Sequence, residues 1–232
     1  TPILEDADIY RAKSGEDIGI KELMVFTDQA GRDLAIRPEM TPSVSRMVSK
    51  IYQSSPKPLK LFSIANFVRN EKPQRGRNRE FWQLNCDVFG ENNFLSDLEI
   101  LQLSLDLMLA FNPPKKSFVL KINSRKLIDD LFALLNLPEN KKIALTRLMD
   151  KYAKLSKGDF VKSMKEIGLS ENNVKRIDDF LNAESIDDLV DKITELKNRE
   201  SIEEIKKIMK NLSDLGYQEY LLFSPSLIRG FD

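Results

Sequence analysis

Two neighbouring stretches in the first half of the chain have the hydrophobic pattern of β-strands. Residues 58–68 (PLKLFSIANFV) are rich in strand formers, and residues 80–89 (EFWQLNCDVF) alternate with a period of two. Pro73 and Gly76 between them favour a turn. The pattern therefore predicts an antiparallel hairpin that presents a loop rich in arginine.

The alternation also divides the second strand into two faces. We expect one face to carry the functional groups: Phe81, Gln83, Asn85, Asp87 and Phe89. We expect the other face to be core: Trp82, Leu84, Cys86 and Val88.

Other short strands and two helices are predicted outside residues 126–216. The strand signals are residues 23–27, 33–37, 117–122 and 219–224. Thr41 is a suitable N-cap, with Pro42 as the first residue of a helix to about Tyr52. Ser96 and Glu99 form a capping box for a helix to about Phe111.

From about residue 123 the strand signals disappear and helix starts recur. Ser156, Ser170 and Ser185 are possible caps, and Ser201 with Glu204 forms a capping box. The candidate helices are residues 124–135, 139–155, 157–167, 171–182, 186–196 and 201–215. We therefore predict an α+β fold with a sheet core at 1–125, an inserted helical lobe at 126–216 and a return to the core at 217–232.

Composition narrows the possible functions. The chain has 36 basic and 36 acidic residues and no histidine. Any anion site must therefore come from local clustering, and neither a histidine base nor a histidine-ligated metal can occur in this chain. We predict no metal ligands. The single Cys86 and the absence of a long apolar run favour a cytoplasmic protein without a membrane partner.

The hairpin loop holds the strongest candidate chemistry. Arg69, Arg75, Arg77 and Arg79 carry guanidinium groups, which suit bidentate binding of phosphate oxygens. The alternative is a solvated hairpin with Arg–Glu pairs. Glu39, between a strand and a helix, has a similar alternative, as an ordinary acid favoured by the helix dipole.

Three stretches resemble known motifs. Residues 67–90 resemble motif 2 of class II aminoacyl-tRNA synthetases, in the form found in histidyl-tRNA synthetases. Residues 37–41 resemble that family's R-P-E-x-T segment, and residues 229–232 resemble its R-G-[LF]-D motif. The first residues resemble the end of motif 1, which usually builds a dimer interface.

The resemblance implies a class II catalytic core of antiparallel sheet with an inserted all-helical lobe. It implies a histidine–tRNA ligase that uses histidine, ATP with Mg²⁺, and tRNA(His), and that is a homodimer at full length. The implied residues are catalytic Arg69 and Arg229; ATP-binding Arg69, Glu71, Arg77 and Phe81; and histidine-binding Glu39, Thr41, Gln83, Asp87 and Arg229. The helical lobe would meet the tRNA acceptor arm through lysines, unless these are solvated surface residues: Lys141, Lys142, Lys151, Lys154 and Lys157.

Some features depart from the family pattern. Asp87 stands where bacterial members usually have glutamate, and the expected tyrosine pair, motif 3 and anticodon-binding domain do not occur in these residues. We therefore expect a catalytic-domain fragment that does not aminoacylate tRNA alone. The alternatives are the regulatory subunit of ATP phosphoribosyltransferase and a synthetase-like module of a stress-sensing kinase. The arginines and the helical lobe count against both.

Overall fold

The computed structural model describes residues 2–13, 21–72 and 74–228. Contacts divide the chain into two compact units, Thr1–Ser96 and Asp97–Asp232. The predicted inserted lobe falls within the second unit, and its bounds stay a prediction.

The first unit contains a three-stranded antiparallel sheet in the order β1–β3–β2. Its elements are β1 (Leu4–Asp6), α1 (Ala7–Lys13), β2 (Met24–Thr27) and β3 (Asp33–Ile36). The turn between β2 and β3 forms because Gly31 adopts a φ of 78° and the Asp28 carboxylate accepts bonds from the Ala30 and Arg32 amides at 2.9 Å. The predicted hairpin at this position is confirmed.

The first unit also contains the hairpin around which the candidate site is built. Its elements are α2 (Thr41–Ile51), β4 (Leu59–Val68) and β5 (Glu80–Phe89). The two strands pair antiparallel over their whole length, from Leu59 opposite Phe89 to Val68 opposite Glu80. The predicted hairpin is therefore confirmed in type and in extent.

The expected core face of β5 is wrong. Trp82 is 71% exposed, and Phe62, which lies on the same face of the hairpin opposite Cys86, is 75% exposed. The opposite face is covered instead, because Met40, just before α2, and Val44 in α2 pack against Phe67 there. A period of two shows which residues share a face, but the position of the covering helix decides which face is buried.

Two phenylalanines on β4 provide a matched test of this assignment. Replacing Phe67, which is fully buried, with alanine should lower the free energy of unfolding by about 3–5 kcal/mol. Replacing Phe62 should change it by less than about 0.5 kcal/mol. Urea unfolding of the 232-residue chain measures both, and equal losses would contradict the assignment.

The second unit is mostly helical. Its elements are α3 (Phe94–Ala110, which begins at the end of the first unit), β6 (Leu120–Ile122), α4 (Arg125–Leu135), α5 (Glu139–Met149), α6 (Lys157–Glu166), α7 (Glu171–Leu181), α8 (Ile186–Lys192), α9 (Glu200–Leu212) and β7 (Leu221–Phe223). The strands β6 and β7 pair in parallel. Fully buried side chains such as Leu131, Phe160 and Phe180 form one continuous core. Among the helices that the structure describes, none is long and apolar enough to span a membrane.

From α3 onward, the helix starts confirm three predicted caps and correct two. The side chains of Ser156, Ser170 and Ser185 each accept a bond from the amide three residues later. Ser201 does not cap α9. It is buried and donates a 2.5 Å bond to Asp130 of α4, so a tertiary contact replaces the local one. At the start of α3, Asn93 accepts from the Leu95 and Ser96 amides in place of the predicted box.

Candidate functional site

The connection between β3 and α2 lies against the end of β4. The Val68 amide donates to the Arg37 carbonyl at 3.1 Å, and Nε of Arg69 donates to the Pro38 carbonyl at 3.1 Å. These two bonds place the half-buried Glu39 at the end of the hairpin that carries the basic loop. Residues 31 positions apart in sequence are therefore brought into one site.

Thr41 contacts β5 directly. Its hydroxyl donates to Oδ1 of Asp87 at 3.1 Å, and it is the first residue of α2 instead of the predicted N-cap. The residue at the cap position is Met40, which has no capping side chain. The hydroxyl is used for a tertiary contact, which brings two of the predicted histidine-binding residues together.

The face of β5 that carries Asp87 has further polar groups. Gln83 lies on the same face of β5 as Asp87, nearer the loop, and is opposite Ala65 of β4. Between them, Asn85 is paired with Ser63, and the buried Oδ1 and Oγ atoms of these two residues have no hydrogen-bond partner among the described residues. Since buried polar atoms are normally hydrogen-bonded, this face has acceptor and donor capacity for a polar ligand.

The loop between β4 and β5 is basic and internally braced. Residues 69–80 include five basic and two acidic residues. The Glu71 carboxylate lies 3.1 Å from Arg77 and 3.9 Å from Arg69. The main-chain carbonyl of Glu71 accepts a 3.1 Å bond from Nε of Arg79. Gly76 adopts a φ of 79° at the tip. The Arg–Glu pair of the alternative interpretation is present, but it leaves an excess of positive charge.

Phe81 lies at the base of this loop. Its ring centroid is 6.0 Å from that of Phe67, and the guanidinium carbon of Arg69 is 5.1 Å from the Phe81 centroid. This separation is within the range of a cation–π interaction. A planar base stacked at Phe81 would therefore lie close to the Arg69 charge.

Arg229 lies outside the described residues, but the segment just before it is held firmly. The side-chain amide of Asn123 donates to the carbonyls of Pro225 at 3.2 Å and Leu227 at 3.0 Å. The Ser224 amide donates to the Ile122 carbonyl at 3.0 Å, which continues the pairing of β6 and β7. Asn123 thus fixes the residues that lead to Arg229.

Replacing Asn123 with alanine should loosen this segment, because two carbonyls lose their donor. We expect hydrogen exchange at the Ser226 and Leu227 amides to rise roughly tenfold or more, which corresponds to about 1.4 kcal/mol of local opening. Asn211→Ala, which removes an exposed side-chain bond within α9, is the control. Unchanged exchange at 226–227 would contradict the role of Asn123.

The five candidate lysines of the helical region differ in their contacts. Lys141 donates to the Gly168 carbonyl at 2.7 Å, Lys142 pairs with Glu139 at 3.3 Å, and Lys157 pairs with Asp178 at 3.1 Å. Lys151 and Lys154 are exposed, and no ion pair is found for either within the part of the chain that the structure describes. These two lysines are the better candidates for phosphate contact.

Sequence patterns missed the buried polar support behind the site. Tyr10 of α1 is fully buried, and its hydroxyl lies 3.1 Å from that of Ser43 in the first turn of α2. Burial raises the pKa of Tyr10 above its usual value, against the opposing effect of the Ser43 bond. Arg37 is also buried. A local pattern gives no sign that residues so far apart share one interior.

The comparisons with known proteins agree with this geometry. A basic hairpin beside an acid-bearing connection is the arrangement that the resemblance to class II aminoacyl-tRNA synthetases implied. The sequence model described as "Histidyl-tRNA synthetase" matches residues 1–232. The chain belongs to the histidyl-tRNA synthetase family.

Curated relatives cover the whole of this chain. A protein of Leptospira biflexa named "Histidine–tRNA ligase" is 40% identical over 233 residues, which are 100% of this chain and 53% of the relative. The protein of that name from Pyrococcus horikoshii is 34% identical over 238 residues, with 54% of its length covered. The chain thus spans about half the length of these relatives.

Solved structures confirm the fold class. A histidyl-tRNA synthetase from Nostoc sp. PCC 7120 has a TM-score of 0.81 at 20% identity, with 100% of this chain and 53% of that chain covered. A protein from Bacillus halodurans C, described as an "ATP phosphoribosyltransferase regulatory subunit/histidyl-tRNA synthetase", has a TM-score of 0.81 at 22% identity, with 100% and 60% covered. The α+β synthetase fold predicted from the sequence is therefore confirmed.

Proposed function

We propose that the protein activates histidine with ATP to form histidyl-adenylate and pyrophosphate, and that it then transfers the histidyl group to the 3′ end of tRNA(His). The observation that carries the proposal is the bond from Thr41 to Asp87, because it joins the R-P-E-x-T segment to the hairpin that carries the basic loop. Family membership supports the same reaction.

The first step brings two anions together, since a carboxylate oxygen attacks the α-phosphorus of ATP in line with the departing pyrophosphate. Preorganised positive charge lowers the barrier for such a step. Arg69 is proposed to bind the α-phosphate, because its bond to the Pro38 carbonyl holds it at the end of the hairpin. Arg229 is proposed to bridge this phosphate and the histidine carboxylate. No side chain acts as a nucleophile.

The loop residues form the proposed nucleotide half of the site. Arg77 would bind the outer phosphates, and Glu71 would orient it through their 3.1 Å ion pair. Phe81 would stack on adenine. Mg²⁺ would accompany ATP and screen its phosphate charges; because the carboxylate of Glu71 is already paired with arginine, phosphate oxygens and water would supply most of its ligands.

The connection and β5 form the proposed amino-acid half. Glu39 and the Thr41 hydroxyl would bind the α-ammonium group. Gln83 would help hold the amino acid, and Asp87 would accept a hydrogen bond from an imidazole N–H. A polar site of this kind strongly rejects analogues that lack the matching group.

The test is histidine-dependent ATP–pyrophosphate exchange, measured on the complete protein in which this chain occurs. We expect exchange with histidine and none with the other amino acids. A correctly folded protein that binds histidine but does not support exchange would refute the enzymatic proposal.

A second candidate is a regulatory subunit of ATP phosphoribosyltransferase. The name of the similar Bacillus halodurans protein contains both functions, so the fold is compatible with either. A regulatory subunit would bind histidine without exchange and would alter the activity of a phosphoribosyltransferase. The arginines of the loop favour the synthetase, since a regulatory protein has no need to bind pyrophosphate.

The proposed tRNA contact can be tested at Lys151 and Lys154. Replacing both with glutamine should weaken tRNA(His) binding and reduce the magnitude of the slope of log affinity against log salt by roughly 1 to 2. The reason is that binding releases fewer counterions from the tRNA when two phosphate contacts are missing. Replacing Lys126 and Lys206, which pair with Glu204 and Asp187, is the charge-matched control. Equal salt slopes in both double variants would contradict the contact.

We further propose that the complete protein is a cytoplasmic homodimer. Two apolar side chains on one face of the β1–β3–β2 sheet, Leu4 and Phe26, are well exposed. An exposed apolar patch of this kind is typical of an interface. Sedimentation velocity of the complete protein over a range of concentrations measures its assembly.

A further inference from the structure

Arg37 differs from the arginines of the loop because it is buried, with 7% of its surface exposed. Its Nε donates to the Asn66 carbonyl at 2.9 Å, and Nη2 donates to Oδ1 of the same residue at 3.0 Å. Nη1 lies 3.5 Å from the Pro2 carbonyl. The guanidinium carbon is 5.4 Å from the ring centroid of Phe67.

These contacts join two sheets that share no strand pairing in the described part of the chain. Arg37 directly follows β3 of the three-stranded sheet, whereas Asn66 belongs to β4 of the hairpin. The main chain of Arg37 bridges them as well, because its amide donates to the Ile3 carbonyl at 3.0 Å and its carbonyl accepts from Val68 at 3.1 Å. Arg37 therefore helps to set the position of the β3–α2 connection against the hairpin, together with the Arg69–Pro38 and Thr41–Asp87 bonds.

The planar shape of the side chain suits this task. A guanidinium donates in several fixed directions, whereas a lysine ammonium is a compact point charge on a flexible chain. A buried charge adds little to stability compared with an apolar residue of similar size. What Arg37 adds is the direction of its bonds to Asn66.

We propose that Arg37 is a positioning residue for the histidine subsite, which holds the segment bearing Glu39 and Thr41 at a fixed distance from Asp87. This inference rests on the function proposed above and deepens it. Arg37 does not contact the substrate. It acts through the segment that follows Pro38, which carries Glu39 and Thr41, and through the Thr41–Asp87 bond.

The expected result is a selective loss of histidine binding. In the complete protein, Arg37→Met should raise the KM for histidine in the exchange reaction about tenfold or more, since small displacements of binding groups are costly. The KM for ATP should rise less than about threefold, because only Arg69 of the proposed ATP-binding residues is bonded to the connection, whereas Glu71, Arg77 and Phe81 belong to the hairpin and its loop. Asn66→Ala removes the acceptor Oδ1 and should produce the same selective effect in a protein that keeps Arg37.

The controls separate positioning from general loss of structure. Arg46→Met removes another arginine contact of the first unit, the 2.9 Å ion pair with Glu5, and should leave both KM values unchanged. Arg37→Lys should restore less than half of the lost histidine affinity. In the double variant of Arg37 and Asn66, the loss should be smaller than the product of the single losses.

Two outcomes would overturn the inference. One is normal KM for histidine in folded Arg37→Met and Asn66→Ala. The other is an equal rise of both KM values, which indicates a structural role only; thermal unfolding of each variant verifies folding. Failure of the proposed function would look different, since the unsubstituted protein would then show no histidine-dependent exchange.

Discussion

Replacing Arg69 with alanine should lower the rate of histidine-dependent ATP–pyrophosphate exchange by about 10²- to 10³-fold. The reason is the position of its guanidinium, which is bonded to the Pro38 carbonyl at 3.1 Å and lies 5.1 Å from the centre of the Phe81 ring. A charge held there by protein contacts needs no reorganisation when two anions approach. The fall should appear mainly in kcat, because the charge acts most strongly in the transition state.

Two further substitutions define the cause of that loss. Arg69→Lys keeps the charge but loses the fork of donors, so it should recover only part of the rate. Arg75→Ala removes an exposed arginine from the tip of the same loop and should cost less than about tenfold. A rate for Arg69→Ala similar to that of Arg75→Ala would refute the role assigned to Arg69.

Local patterns predicted the elements of the fold well. The helices of the second unit and the β4–β5 hairpin follow from periodicity and from turn residues, because both are formed by neighbours in sequence. Ser156 and Ser170 cap helices as expected for the same reason. The parallel pairing of β6 and β7 was not predicted, since it joins residues that are distant in sequence.

The errors share one physical cause, which is that a tertiary contact replaced a local one. Thr41 and Ser201 have the side chains of caps, yet each donates to a carboxylate from a distant element. The wrong core face of β5 is a similar case, since α2 decides which side is covered. Burial of Arg37 could not be predicted either, because its acceptors, in Asn66 and Pro2, are distant in sequence.

The predicted site residues were found through resemblance more than through pattern. Pattern alone indicated a basic loop and a polar face, and left Glu39 as an ordinary helix-start acid. The described structure brings Thr41 to Asp87 and the Pro38 carbonyl to Arg69, so the candidate groups on the connection and the hairpin form one site. Their separate roles stay predictions that kinetic measurements must test.

The second large effect is expected at Asp87. Replacing it with asparagine should lower kcat/KM for histidine by about 100-fold, because a buried imidazole N–H would lose its charged acceptor. The amide oxygen of asparagine can still accept from Thr41, so the 3.1 Å bond between these residues and the folded structure should survive. The loss would then report the charge of Asp87 instead of its packing.

The best control for Asp87→Asn is Glu80→Gln, which removes one negative charge from the opposite face of the same strand. Glu80 accepts a 3.2 Å bond from Asn66 that a glutamine can retain, so kcat/KM should stay within about threefold of its normal value. Thr41→Val tests the other partner of the bond. Because Thr41 and Asp87 are in contact, the fall in kcat/KM in the double variant should be smaller than the product of the falls in the two single variants. Equal effects of Asp87→Asn and Glu80→Gln would mean that net charge, not contact with the imidazole, explains the change, and Asp87 would then have no place in the histidine subsite.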